Sequence, residues 1–268
     1  MLESILVLGS GAGISINCYN TCFILENNEK YLLVDTGSGS GILKQIRDMG
    51  VDITKIHDLF ISHKHIDHLL GIFVFIRMIT SLMGVGKYEG DLNIYCDSEI
   101  KELVNNFFIP TSYPQLIEQY NKHIKYHDLK NSNKFNIIEY EIEVLDMYSK
   151  ECNQYGFQTK LNNGKILTFM GDVPCSEKLY EKIRNTDWVL HEAFCLEAEE
   201  EIFKAREKHH STVKDVAEKM ELLNVKNIVL WHTKDNNIEK RKELYTNEAK
   251  EYFKGNVYVP NDLEIIEL

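Results

Sequence analysis

Ser62 to His68 reads Ser-His-Lys-His-Ile-Asp-His and follows the apolar run Leu59-Phe60-Ile61. Three histidines and one aspartate fall within six positions, His63 to His68. A strand ending at this point releases the chain into a loop. Such a loop can turn His63 and His65 toward one point and Asp67 and His68 toward a second. Imidazole nitrogens and carboxylate oxygens suit zinc, and open coordination positions make such a site catalytic rather than structural. The plain alternative is a surface loop that happens to be rich in histidine. The His-x-His-x-Asp-His spacing is far more specific than a lone histidine and favours the metal reading.

The elements that must hold these groups are readable around them. Ser4 to Leu8 is a strand candidate, and Gly9-Ser10-Gly11-Ala12-Gly13 after it is a flexible turn. A dinucleotide fingerprint would need glycine where Ile14 stands. Tyr19 to Glu26 and Lys30 to Asp35 form a hairpin across Asn27-Asn28-Glu29, and Gly41 to Met49 has helical periodicity. Leu69 to Met83 is apolar apart from Arg77, Thr80 and Ser81; at fifteen residues it falls short of the about 20 a membrane span needs. It reads instead as a buried helix anchoring the metal loop. Ser98 is the expected N-cap of a helix reaching Phe107, and Thr111 to Asn131 is polar and poorly periodic, with His123 and His127 on the surface. Asn136 to Met147 alternates as one strand. Gly156 to Leu161 and Ile166 to Met170 form a hairpin across Asn162-Asn163-Gly164, a strong turn signal. The second strand of that hairpin ends at Gly171-Asp172, Trp188-Val189-Leu190 leads to His191-Glu192, and Val225 to Leu230 ends at Trp231-His232. A helix over Ser211 to Leu223, another near Asn247 to Phe253, and strands at Val257-Tyr258-Val259 and Leu263 to Ile266 complete the chain.

The chain of 268 residues, 44% hydrophobic and 26% charged, has ample length for a core and no Pro/Gly/Ser-rich linker, so one domain is expected over residues 1–268. Its net charge of -11 argues against extended nucleic-acid binding, which displaces counterions with basic surface. The six cysteines are scattered, and the start Met1-Leu2-Glu3-Ser4 has no leader pattern, so free thiols and a cytoplasmic protein without a membrane anchor are expected.

His63, His65, Asp67 and His68 resemble the signature of the metallo-β-lactamase superfamily of metal-dependent hydrolases. Leu33-Val34-Asp35-Thr36-Gly37 resembles its first block, in which the aspartate orients the metal loop through hydrogen bonds. Residue pattern alone gives only α plus β. The resemblance implies an α/β fold, an αββα sandwich of two mixed β-sheets flanked by helices. It also implies that Asp172 is the bridging carboxylate and His232 the late metal ligand. His209-His210-Ser211-Thr212 and Leu190-His191-Glu192-Ala193-Phe194 resemble blocks of the ribonuclease Z branch. There a histidine and a glutamate pair to assist phosphodiester cleavage, so Glu192 would hold His210 and raise its pKa as proton donor.

One departure is clear. The family supplies a third histidine to the first metal from the loop before the second hairpin, where this chain has Tyr148, or with a small shift Ser149 or Lys150. Neutral tyrosine is a poor zinc ligand, so the first metal would bind weakly or take another group, for which His191 is a candidate by sequence position. The glycine- and proline-rich arm that grips tRNA, and the arginine after the late histidine, are also missing. The expected activity is hydrolysis of a small-molecule or nucleotide-like ester, a phosphodiester first, by water activated on one or two Zn2+, with Mn2+ or Fe2+ as alternatives, Asp67 accepting the proton. Lactone or thioester hydrolysis on the same metals, and a non-catalytic binding module with a degraded site, are the competing readings. A homodimer is compatible with all three.

Overall fold

The computed structural model describes residues 3–268. Its strands are β1 (Glu3–Gly9), β2 (Cys22–Asn27), β3 (Lys30–Val34), β4 (Ile56–Phe60), β5 (Leu92–Cys96), β6 (Ile124–Asp128), β7 (Lys134–Ile137), β8 (Tyr140–Asp146), β9 (Tyr155–Lys160), β10 (Ile166–Phe169), β11 (Trp188–Glu192), β12 (Asn227–Trp231), β13 (Asn256–Tyr258) and β14 (Ile265–Glu267). The α-helices are α1 (Gly41–Asp48), α2 (Ile66–Leu69), α3 (Ile72–Gly84), α4 (Ser98–Thr111), α5 (Pro114–His123), α6 (Tyr180–Ile183), α7 (Glu200–Phe203), α8 (Val213–Leu222) and α9 (Arg241–Tyr252).

Two seven-stranded sheets result, ordered β14-β1-β2-β3-β4-β5-β6 and β13-β12-β11-β10-β9-β8-β7. Each is antiparallel over one part and parallel over the other: β3 to β6 run parallel in the first, β10 to β13 in the second. Large apolar residues alternate along the strands, so each sheet presents an apolar face to the other. Phe23 meets Trp231 at 4.8 Å between ring centroids, and Phe60 meets Phe157 at 5.3 Å. On the outer faces, Ile42, Phe75 and Ile100 of the helices pack on the first sheet, and Val216, Met220 and Tyr245 on the second. The expected αββα sandwich of mixed sheets is therefore the fold.

The differences from the expected elements have local causes. Asn136 to Met147 is two strands, β7 and β8, turned by Ile138 and Glu139, both left-handed at φ 45° and 70°. The stretch after Thr111 holds α5 and β6. Asp97, not Ser98, caps α4, its Oδ1 accepting the Glu99 N–H at 2.8 Å. The helical run Ile66–Gly84 is 19 residues, long and apolar enough to cross a membrane by length and composition, so length does not exclude a span. Packing supplies the argument instead: Ile72, Phe75, Ile76 and Ile79 are buried in the core beneath the first sheet. At Gly71, where α2 passes into α3, a Cβ would lie 2.1 Å from the Thr36 carbonyl oxygen. Only glycine lets the helix approach the strand-end turn this closely.

Candidate metal centre

The histidine-rich loop leaves the carboxyl end of β4 and is fastened at once. Asp35, the residue after β3, accepts the Ser62 N–H at 2.8 Å and the Ser62 hydroxyl at 2.7 Å. The same carboxylate lies 2.8 Å from His68 Nδ1. Ser62 Oγ is in turn 2.9 Å from His63 Nδ1. With Nδ1 engaged on each ring, Nε2 of His63 and of His68 is left buried and without a hydrogen-bond partner. His65 caps the one-turn α2, and that turn presents Asp67 and His68 together.

The second sheet contributes from its parallel part. Asp172 follows β10, Glu192 ends β11 and His232 follows β12. Strand carboxyl ends in parallel sheets gather loops at one rim, where ligands bind. Asp35 and His232 both adopt left-handed backbone, at φ 58° and 53°. Such strain, of order 1–3 kcal/mol each, persists where surrounding structure holds it.

These side chains converge. His63, His65 and Asp172 place one donor atom each within 4.8 Å of one another; so do Asp67, His68 and His232, and so do Asp172, His210 and His232. The carboxylate of Asp172 divides between the groups. Its Oδ1 lies 3.5 Å from His63 Nε2, while Oδ2 lies 3.4 Å from His68 Nε2 and 3.5 Å from His232 Nε2. Asp67 Oδ2 adds 3.4 Å and 3.2 Å contacts to the same two imidazoles. Donors sharing one zinc at about 2.0–2.2 Å stand roughly 3.3–3.6 Å apart, so the spacing fits a common cation. The charges fit as well. Burial alone would push the Asp172 and Asp67 carboxyls up, yet the neighbouring histidines hold both well below the carboxylate range. Burial would likewise lower His68, but Asp67, Asp35 and Asp172 drive it far above its usual value. The cluster thus demands positive charge, which a divalent ion would supply.

His210 lies flat on Phe194, with ring centroids 4.5 Å apart and planes at 5°, and 5.3 Å from the His232 ring. Glu192 is fully buried; its Oε1 accepts the Ser211 N–H at 2.6 Å, and its Oε2 approaches His210 Nδ1 only to 3.7 Å. The expectation that Glu192 raises the His210 pKa is corrected here. Burial, then the charge of His232, lowers His210 to about 4, while burial drives Glu192 well above its usual value. Low polarity pushes both toward their neutral forms.

Two further expectations concerned the missing histidine. The Tyr148 ring lies under the Lys178 ammonium, 4.2 Å from it. His191 bonds the Glu192 carbonyl through Nδ1 at 2.7 Å and stays outside the three donor groups. Gln154, which no spacing in the sequence singles out, does reach the centre. Its amide contacts Asp172 Oδ1 and lies 3.1 Å from His63 Nδ1.

A family model described as anti-Pycsar protein Apyc1 matches residues 3–253. The chain belongs to this Apyc1 family. It is also ribonuclease Z-like in sequence and has the metallo-β-lactamase fold. The ribonuclease Z of Ligilactobacillus salivarius is 26% identical, with 97% of this chain and 95% of that protein covered. Among solved structures, the metallo-β-lactamase fold protein YhfI of Bacillus subtilis superposes with a TM-score of 0.80 at 17% identity, covering 100% of both chains. The short form of human tRNase Z gives 0.75 at 19% identity, covering 98% of each.

Proposed function

We propose that this Apyc1-family chain is a metal-dependent phosphodiesterase acting on a small, anionic, nucleotide-like ester. The observation that carries the reading is the Asp172 carboxylate, which offers one oxygen to the His63 side and the other to His68 and His232. A carboxylate set between two groups of imidazoles is the arrangement a pair of divalent cations requires. His63, His65 and Asp172 would hold the first ion; Asp67, His68, Asp172 and His232 the second. Zn2+ suits this set of nitrogens and carboxylates, and Mn2+ is a competent alternative. When bound, two such ions supply Lewis acidity and lower the pKa of water.

The chain's own residues do the rest. Asp67 stays ionised among imidazoles, so it can orient water by accepting a hydrogen bond from it. His210, kept neutral by its apolar setting against the Phe194 ring, is placed to donate its ring N–H to the leaving oxygen, and Glu192 behind it fixes its setting. Lys234 and Lys208 stand 4.5 Å and 5.9 Å from the centroid of that same Phe194 ring. Burial, then the charge of Lys208, lowers the Lys234 pKa, so the pair is poised to receive an anion. Ile14 and Ile16, both almost fully exposed, lie on the segment where a Cβ at Gly13 would stand 3.8 Å from Asp67 Oδ2. An apolar rim beside a cationic pair suits a compact substrate better than a long polyanion, which agrees with the net charge of -11.

The test pairs elemental analysis with a substrate panel: bis(p-nitrophenyl) phosphate, cyclic mononucleotides, a precursor tRNA and lactones. About two ions per chain and metal-dependent cleavage of the small phosphodiesters are expected. Faster lactone opening would move the reading to a carbonyl hydrolase. A chain that binds no metal would be a binding module.

A further inference from the structure

Resting on that metal-dependent reading, we infer that Gln154 supplies the coordination that the Tyr148 position does not. The first donor group, His63, His65 and Asp172, has three members, and Tyr148 is turned to Lys178. Gln154 stands across the ladder from Met147, the residue just before that position. Its carbonyl accepts the Met147 N–H at 3.0 Å, and Asp146 pairs with Tyr155 one step further on. From there its side chain folds inward and is almost wholly buried. The amide meets Asp172 Oδ1 and lies 3.1 Å from His63 Nδ1, so it touches two of the three donors.

Two further observations point to a ligand. Among the described residues, Gln154 Oε1 is buried without a hydrogen-bond partner, and so is His63 Nε2 in the same cluster. Glutamine's oxygen and nitrogen exchange places by a half turn of the amide. As it stands the amide N–H faces Asp172; a half turn would bring Oε1 to that place, where a cation shared with Asp172 would seat both oxygens. The space is also shaped for this side chain. A Cβ on Gly171, which sits at φ 66°, would come within 3.3 Å of Gln154 Cδ and 3.5 Å of Oε1. The competing replacements fit less well. Glu151 and Cys152 reach only His65 Nε2, at 3.7 Å and 3.9 Å, and join none of the three-donor groups.

An amide oxygen is a hard, neutral donor. In place of an imidazole it moves the first position away from zinc and toward manganese or magnesium. The test is metal content after dialysis against limiting Mn2+ or Zn2+, in wild type, Gln154→Ala and Gln154→His, with circular dichroism to establish folding. Wild type should hold two ions and retain Mn2+ at the weaker position. Gln154→Ala should lose one equivalent, and Gln154→His should regain two with at least a tenfold shift in preference toward Zn2+. A Gln154→Ala chain that binds two ions as tightly as wild type overturns this inference alone. A Gln154→His chain with unchanged preference also overturns it. A wild-type chain without metal overturns the hydrolase reading as well.

Discussion

The two sheets deliver their functional groups in opposite ways. The first sheet delivers from one continuous stretch. His63, His65, Asp67 and His68 leave a single strand and are folded by a one-turn helix, with Asp35 gripping both ends of the loop. The second sheet delivers singly. Asp172, Glu192 and His232 come from the ends of β10, β11 and β12, where their spacing is that of neighbouring parallel strands. In the first sheet, position follows from local turn geometry. In the second it follows from sheet register and is blind to sequence distance. Asp172 is the residue in which both strategies meet, because its two oxygens face the two sides.

Mutations at the meeting point should therefore cost most. Asp172→Ala is expected to release both ions and lower kcat/KM by at least about 10^3-fold. His63→Ala should release one ion only. Elemental analysis separates the two outcomes, and a variant of Asp172 that keeps one tight ion would show that the sides are independent. His210→Ala should lower kcat by about 10^2–10^4-fold with metal content unchanged, as for a proton donor. Loss of an ion in that variant would instead make His210 a ligand alongside Asp172 and His232. Asp35→Asn preserves a side chain that tolerates left-handed backbone but removes one anionic acceptor. It should weaken metal binding by about 10–100-fold, read by competition with a chelator. The smallest effect lies in the second sheet's supports. Thr212 caps α8, accepting the Asp215 N–H at 3.2 Å. Thr212→Ala should cost about 1 kcal/mol and lower Tm by about 2–4 °C while leaving metal content intact.

The same contrast decides what could be read before any coordinates. His63 to His68 was legible because its spacing is local, and the hairpin at Asn162-Asn163-Gly164 because Asn-Gly has one dominant use. Asp172 and His232 were legible only as polar residues at strand ends, placed by resemblance. Gln154 was not legible at all. A lone glutamine carries no spacing, and its arrival beside Asp172 depends on how β8 and β9 pair. The turn at Ile138 and Glu139 escaped notice because neither residue advertises positive φ. Asp97 and Ser98 are adjacent cap formers, and only backbone geometry selects between them. The α2–α3 run is longer than the apolar stretch Leu69 to Met83, since Gly71 lets the chain pass Thr36 without ending the helical stretch.

One closure bears on how this architecture can change. The excursion between β11 and α8 leaves at Phe194 and Cys195 and returns at Ser211 to Val213. Backbone hydrogen bonds from Phe194 to Ser211 and from Val213 to Cys195, at 2.9 Å and 3.0 Å, shut its root. Glu192 and His210 sit at that root, while α7 and its flanks form the distal part. Insertions or deletions far out along the excursion are insulated from the centre by this clasp. Length and sequence can thus drift in that peripheral part with the converging side chains left where they stand.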